Sequence, residues 1–208
     1  MSSFARPPCD RGVILSSSNG RRGTGDGWVL ATTILGSSMI FIDGTVVNVA
    51  LPAIQKAFGA PISQVQWVVE AYALLLAALL LTGGSLGDLF GRRRVFSIGV
   101  VIFTAASAWC GFAPDTSQLI LARGLQGAGG ALLVPGSLAL ISASFSPERR
   151  GRAIGTWSGF TSITAAIGPA LGGFLVEHGS WRWVFFLNLV PGLIVLILAL
   201  CTVPESRS

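Results

Sequence analysis

Charge is what this sequence has least of. Aspartate, glutamate, lysine and arginine supply 11% of its 208 residues, where soluble domains carry about 25%. A soluble fold of this length keeps polar faces in water, so its helices show an apolar stripe. The long apolar runs here are hydrophobic all round, and lipid is the solvent that suits them. Histidine occurs once, at His178, and the three cysteines, Cys9, Cys110 and Cys201, are scattered. They form neither a disulfide frame nor a metal site. No Ser-His-Asp set, nucleophile–base pair or Walker sequence is present, so neither an enzyme nor ATP coupling is indicated, and no cofactor is called for. The alternation expected of membrane β-strands is also missing.

What is present is length in the apolar runs. Crossing a bilayer takes about 20 apolar residues, and six windows suffice: 28–51, 66–86, 94–112, 118–143, 153–176 and 182–203. The expected fold is an all-α integral membrane bundle of six transmembrane helices over 28–203. Residues 1–27, rich in Ser, Gly and Arg without the apolar core of a signal peptide, read as a disordered cytoplasmic tail. Residues 204–208 read as the start of a linker.

The basic residues are unevenly placed. Of the fourteen Lys and Arg, four lie in the tail, three in loop 87–94, three in loop 145–152 and one after the last window. Only Lys56 and Arg182 fall on the other side, and Arg123 lies within a span. The positive-inside rule therefore puts both termini in the cytoplasm. Trp28, Trp67, Trp109, Trp181 and Trp183 sit near span ends, as an aromatic belt requires. The excess of positive charge is thus topological, and no nucleic-acid partner is expected.

Shifting the chain by 89 positions lays "GGSLGDLFGRRRVF", Gly83 to Phe96, onto "GGFLVEHGSWRWVF", Gly172 to Phe185. Gly83 and Gly84 meet Gly172 and Gly173, Asp88 meets Glu177, and Arg93 meets Arg182. The first copy links spans two and three on the cytoplasmic side; the second links spans five and six on the outer side. Three helices repeat upside down, the 3+3 inverted repeat of secondary transporters.

Three ionisable residues fall inside spans: Asp43, Glu70 and Arg123. Each costs about 2.5–3.5 kcal/mol at a helix centre, so each needs a partner, water or a role. With a rise of about 1.5 Å per residue, all three lie in the outer half of their helices, within reach of one another. Two acids face one base, which leaves one carboxyl group free to load a proton on one side and release it on the other. Gln126 follows Arg123 by three residues and shares its face. The run Gly127 to Ala131 permits close backbone approach. So do Gly155 and Gly159 in the fifth span, where Gly168, Pro169, Gly172 and Gly173 then follow.

These segments resemble the major facilitator superfamily, and within it the proton-coupled multidrug antiporters of the fourteen-span type. "IDGTVVNVALP" is similar to the first-span motif of that branch, with Asp43 at its acidic position. "GGSLGDLFGRRRVF" resembles the superfamily's loop motif through Gly84, Gly87, Asp88, Gly91, Arg92 and Arg93. "LARGLQGAGGALLVP" resembles the fourth-span motif around Arg123 and Gln126, and "GPALGG" the fifth-span antiporter motif. The resemblance implies the N-terminal half of a major facilitator fold in the plasma membrane, exporting hydrophobic or cationic small molecules against a proton gradient. It implies that the span-two/span-three loop is a cytoplasmic latch, with Asp88 against a helix N-terminus of the other half and the arginines paired with acids such as Glu148. Asp43, Arg123, Gln126 and Glu70 are the expected coupling residues.

The family pattern needs a second half, and the sequence ends at "VPESRS", so a truncated or fragmentary chain is expected. The partners implied are lipid, a small-molecule substrate, and the missing C-terminal half or a second copy. Two other readings are a half-transporter that must dimerise and a six-span protein or inert fragment that transports nothing. The charge asymmetry is testable directly. In cysteine-replaced chains, an impermeant thiol reagent added outside should label a cysteine placed at Ser63 and spare one placed at Arg94; the opposite pattern overturns the orientation.

Overall fold

The computed structural model describes residues 24–203. Every regular element among them is helical: α1 Thr24–Phe58, α2 Ile62–Phe90, α3 Arg92–Phe112, α4 Thr116–Ser144, α5 Pro147–His178, the short α6 Trp183–Phe186 and α7 Leu189–Thr202. Six segments are long and apolar enough to cross a membrane, with α6 and α7 together making the sixth. Each predicted window lies within one of them but for one residue at each end of the last. The helices run on past the windows because nothing in the polar flanks breaks them. α1, at 35 residues, is about 52 Å long against a hydrocarbon core of about 30 Å. It begins at Thr24, so the last four residues of the predicted tail are helical; residues 1–23 and the predicted linker at 204–208 lie outside the described residues.

Local chemistry sets the turns. Gly59 ends α1 at φ 60° and Gly91 alone joins α2 to α3 at φ 101°, a region that only glycine enters without strain. Asp115 caps α4 by accepting from the backbone N–H of Gln118 at 2.9 Å, and Pro147 opens α5 at its first turn, where the missing amide costs nothing.

α4 is the central post. It packs against both α2 and α3, while α5 packs against α1, the pairing that an inverted repeat of three helices produces. Glycines allow these approaches. A Cβ on Gly83 of α2 would strike the backbone of Ala131 in α4, and one on Gly127 of α4 would strike the backbone of Tyr72 in α2. Gly168 and Gly172 play the same part on α5, against Thr45 and Val46 of α1. Gly155 and Gly159 do not: nothing approaches them within 4 Å, because they lie on the exposed side of α5, so this pair makes no close helix contact here.

The repeated arginines also find equivalent partners. Arg93, next to the start of α3, donates to the carbonyl of Val203 just past α7, at 3.2 Å. Arg182, just before α6, donates to the carbonyls of Gly111 and Ala113 at the end of α3, at 2.8 and 2.9 Å. Each guanidinium satisfies carbonyls that a helix C-terminus leaves open, where the helix dipole also favours a cation.

The outer surface is apolar, with Leu81, Leu89, Phe112 and Val190 all largely exposed, which in water would be an aggregation surface. The interior holds two main apolar clusters. Phe96, Phe103, Leu133 and Val195 belong to one; Val47, Ile54, Leu119 and Phe185 belong to the other. Overpacking a tight contact costs about 1–3 kcal/mol, so Gly83→Ala and Gly127→Ala should each lower the thermal midpoint of the detergent-solubilised chain. Gly151→Ala, with open space around it, should leave it unchanged or raise it.

Candidate functional site

Between the two clusters lies a polar layer. Asp43, Ser107, Arg123, Gln126 and Asn188 are all buried there, one from α1, one from α3, two from α4 and one from the joint between α6 and α7. Arg123 Nη1 donates to Asp43 Oδ2 in an ion pair sealed on both sides. The other carboxylate oxygen, Oδ1, accepts from Gln126 Nε2 at 2.9 Å and from Asn188 Nδ2 at 2.8 Å. Three donors on one carboxylate offset much of the desolvation that burial imposes on a charge.

The guanidinium is equally occupied. Its Nε donates to the carbonyl of Val68 at 3.0 Å and its Nη1 also to Gln126 Oε1 at 2.8 Å. Its carbon lies 4.1 Å from the centre of the Tyr72 ring, within cation–π range. Ser107 closes the layer: its hydroxyl accepts from Asn188 at 3.0 Å and donates to the carbonyl of Phe185 at 2.8 Å.

The structure therefore brings together Asp43, Arg123 and Gln126 and leaves Glu70 out. Glu70 is exposed on α2. Val68 and Tyr72 point inward, and a residue two positions from each must point away. The expected excess of one acid in the cluster is corrected: it contains one acid and one base. Three contributors lie outside the sequence expectation. Asn188 is a lone amide in the apolar run of span six, a signal of the same kind as a buried charge, and Tyr72 is the only tyrosine in the chain. Ser107 carries no comparable signal, since hydroxyls are common in membrane helices.

Beside this layer opens a pocket of about 520 Å³ between α1, α2, α4 and α5, lined by Ile40, Phe41, Gly44, Tyr72, Leu76 and Val134 among others. It is apolar, and Tyr72 belongs to both: its ring lines the pocket and stacks with Arg123. Gly168 and Gly172, which carry the fifth-span motif, contact α1 at Thr45 and Val46, next to the Asp43 turn. Pro169 between them donates no backbone hydrogen bond, and Gly173 lies farther out, toward Val49.

Within the loop, Arg92 finds its acid one turn away. Arg92 pairs with Asp88 one turn earlier, at 2.9 Å, and reaches the carbonyl of Ala139 on α4 at 3.4 Å. It does not pair with Glu148, because the i, i+4 spacing puts the nearer carboxylate directly beside it. Glu148 instead lines a cleft with Arg149 and Arg152 at the start of α5. Asp88 remains half exposed. Gly84 rests on Pro135 of α4, and Gly87 has open space around it.

Removing one partner from a buried pair leaves an uncompensated charge and costs about 3–5 kcal/mol. Asp43→Asn and Arg123→Gln should each sharply lower the thermal midpoint of the purified chain, and the double variant should recover much of the loss. Strictly additive losses would show that the two do not act as a unit.

The family model of the Major Facilitator Superfamily matches residues 33–208. The multidrug resistance protein Stp of Mycobacterium tuberculosis (strain CDC 1551 / Oshkosh) is 47% identical over 178 residues, covering 85% of this chain and 33% of Stp. The tetracenomycin C resistance and export protein of Streptomyces glaucescens is 39% identical over 197 residues, covering 95% of this chain and 36% of that protein. The chain thus spans about a third of the length of these relatives. In fold it resembles the crystal structure of a bacterial homolog to the human lysosomal transporter Spinster, with a TM-score of 0.78 at 23% identity over 90% of this chain and 45% of that one. It also resembles a D-xylose-proton symporter, with a TM-score of 0.75 at 21% identity over 86% of this chain and 48% of that one. A match through nearly all of the bundle, with relatives of this similarity, identifies the chain as a multi-span membrane protein that belongs to the major facilitator superfamily.

Proposed function

We propose that the chain forms the N-terminal half of a proton-driven exporter of hydrophobic or cationic small molecules in the plasma membrane, with both termini cytoplasmic. The observation that carries this reading is the placement of Tyr72 between an apolar pocket and a buried Asp43–Arg123 pair. A bulky apolar guest in the pocket presses on the same ring that Arg123 rests against. A proton arriving at Asp43 removes the charge that holds Arg123, Gln126 and Asn188 in place. Each event disturbs the other through one side chain, which is the linkage that antiport requires. The relatives named for drug resistance and export support export as the direction.

The half-carrier reading has its own support. α2 and α5 are the least buried spans, and the pocket opens between α1, α2, α4 and α5 on the side where those two helices stand. Rocking carriers place their second half across such a midplane site. On this reading Asp88, with one oxygen held by Arg92 and half its surface free, is the latch group offered to a helix N-terminus of that second half, where the dipole favours an anion. Gly84, Gly87, Gly91 and Arg93 shape and anchor the same loop.

Membrane vesicles bearing the complete carrier should move a lipophilic fluorescent cation only while a proton gradient is maintained. Asp43→Asn should insert normally and move none. Efflux that persists without the gradient and follows ATP would overturn the mechanism; unaltered efflux by the variant would remove Asp43 from it.

A further inference from the structure

The three consecutive arginines at the α2–α3 joint do not share one fate. Arg92 is held by Asp88 and the carbonyl of Ala139, and Arg93 by the carbonyl of Val203. Arg94 is exposed and makes no hydrogen bond or ion pair among the described residues. It borders a groove of about 320 Å³ whose other lining residues are Leu86 and Phe90 of α2, Val95 and Ile98 of α3, and Leu132 of α4. One guanidinium thus closes an otherwise apolar slot.

The slot follows from the helix contacts. α2 and α3 diverge from the single residue Gly91, and both settle onto α4, where Gly83 and Gly99 let their backbones approach Ala131 and Leu132. The two helices touch the post more than each other, so a gap stays open above Leu132. Phe90 and Ile98 at its rims are more than half exposed. The groove is separate from the Tyr72 pocket, with which it shares no lining residue. It starts at the membrane-surface end of two spans and runs about one turn inward, so its apolar part lies at acyl-chain depth and Arg94 at headgroup depth.

We propose that this groove binds an anionic phospholipid, with the phosphate on the Arg94 guanidinium and an acyl chain between Phe90 and Ile98. The planar guanidinium matches a phosphate with two parallel hydrogen bonds. Asp88 is taken by Arg92, which leaves the exposed Arg94 charge unmatched at the groove and selects a net-negative headgroup over a zwitterionic one. A free phosphate ion would satisfy Arg94 and leave the apolar slot unused; the lipid fills both. Basic residues between membrane helices at the surface are the general form of such sites.

The test uses the full chain and needs no transport. Native mass spectrometry of the chain released from micelles containing equal dioleoyl phosphatidylglycerol and dioleoyl phosphatidylcholine should show one retained phosphatidylglycerol adduct in preference. Arg94→Gln should lower that preference about fivefold, the weight of one basic contact near a membrane surface, and Arg94→Lys should lower it less. Ile98→Trp, which blocks the slot with the charge intact, should abolish the adduct, while Arg152→Gln on the other basic loop should leave the preference unchanged. Equal retention of both lipids by the wild-type chain overturns the proposal. So does equal loss in the Arg94 and Arg152 variants, which would indicate bulk surface charge. An unaffected Ile98→Trp, displacement by millimolar inorganic phosphate, or occupation of the slot by a second copy would overturn it as well.

Discussion

The Asp43–Arg123 pair sits where neither lipid nor water solvates it, and the rest of the bundle is arranged around that fact. Moving two charges into such an interior costs several kcal/mol per ion even after relaxation, and mutual attraction alone seldom offsets it. Here the offset comes from added hydrogen bonds to both ions, from Gln126 and Asn188 to the carboxylate and from the guanidinium to the Val68 carbonyl and Gln126. α1 to α4 and the α6–α7 joint each present one specific turn to the polar layer. A helix displaced by one residue in depth or rotation would leave a charged or polar atom unpartnered, so the layer fixes the register of helices that apolar packing alone would let slide.

Close packing makes such a layer possible. α4 carries both Arg123 and Gln126, and α2 and α3 reach it through glycine contacts with no side chain between the backbones. The same solution recurs where Gly168 and Gly172 bring α5 onto α1 near Asp43. The pseudo-symmetry of the two three-helix repeats therefore extends from the sequence to the contacts: one pair of helices positions the base, the equivalent pair positions the acid, and the ion pair joins the repeats.

Much of this is legible in the amino-acid sequence. Six apolar windows give the number of spans, because the bilayer thickness sets a minimum length that short loops do not reach. Asp43 and Arg123 stood out because ionised groups in apolar runs are expensive, and Gln126 followed from helical spacing. The same logic misplaced Glu70: depth along a helix can be counted from a sequence, but which way a side chain points on a helix that is apolar all round cannot. α2 has no polar stripe to orient it, and its rotation is set by Gly83 and Tyr72 against α4. The pairing of Arg92 with Asp88 instead of Glu148 is local, and the spacing of four already permitted it. Asn188 is the residue that a stricter rule, treating any amide in a long apolar run as a candidate, would have found. The break between α6 and α7 that positions it is not marked by a glycine or proline at the joint itself.

α3 and the sixth span are fastened to each other at both ends: by Arg93 on the Val203 carbonyl at one, and by Ser107 on the Phe185 carbonyl and Arg182 on the Gly111 and Ala113 carbonyls, about one turn apart, at the other. Two struts pinned at both ends resist shear and splay, so this side of the bundle is a stiff back plate. Any bending that accompanies work by the bundle is left to α1, α4 and α5, each of which has a proline within it (Pro52, Pro135 and Pro169), and to the thinly packed α2.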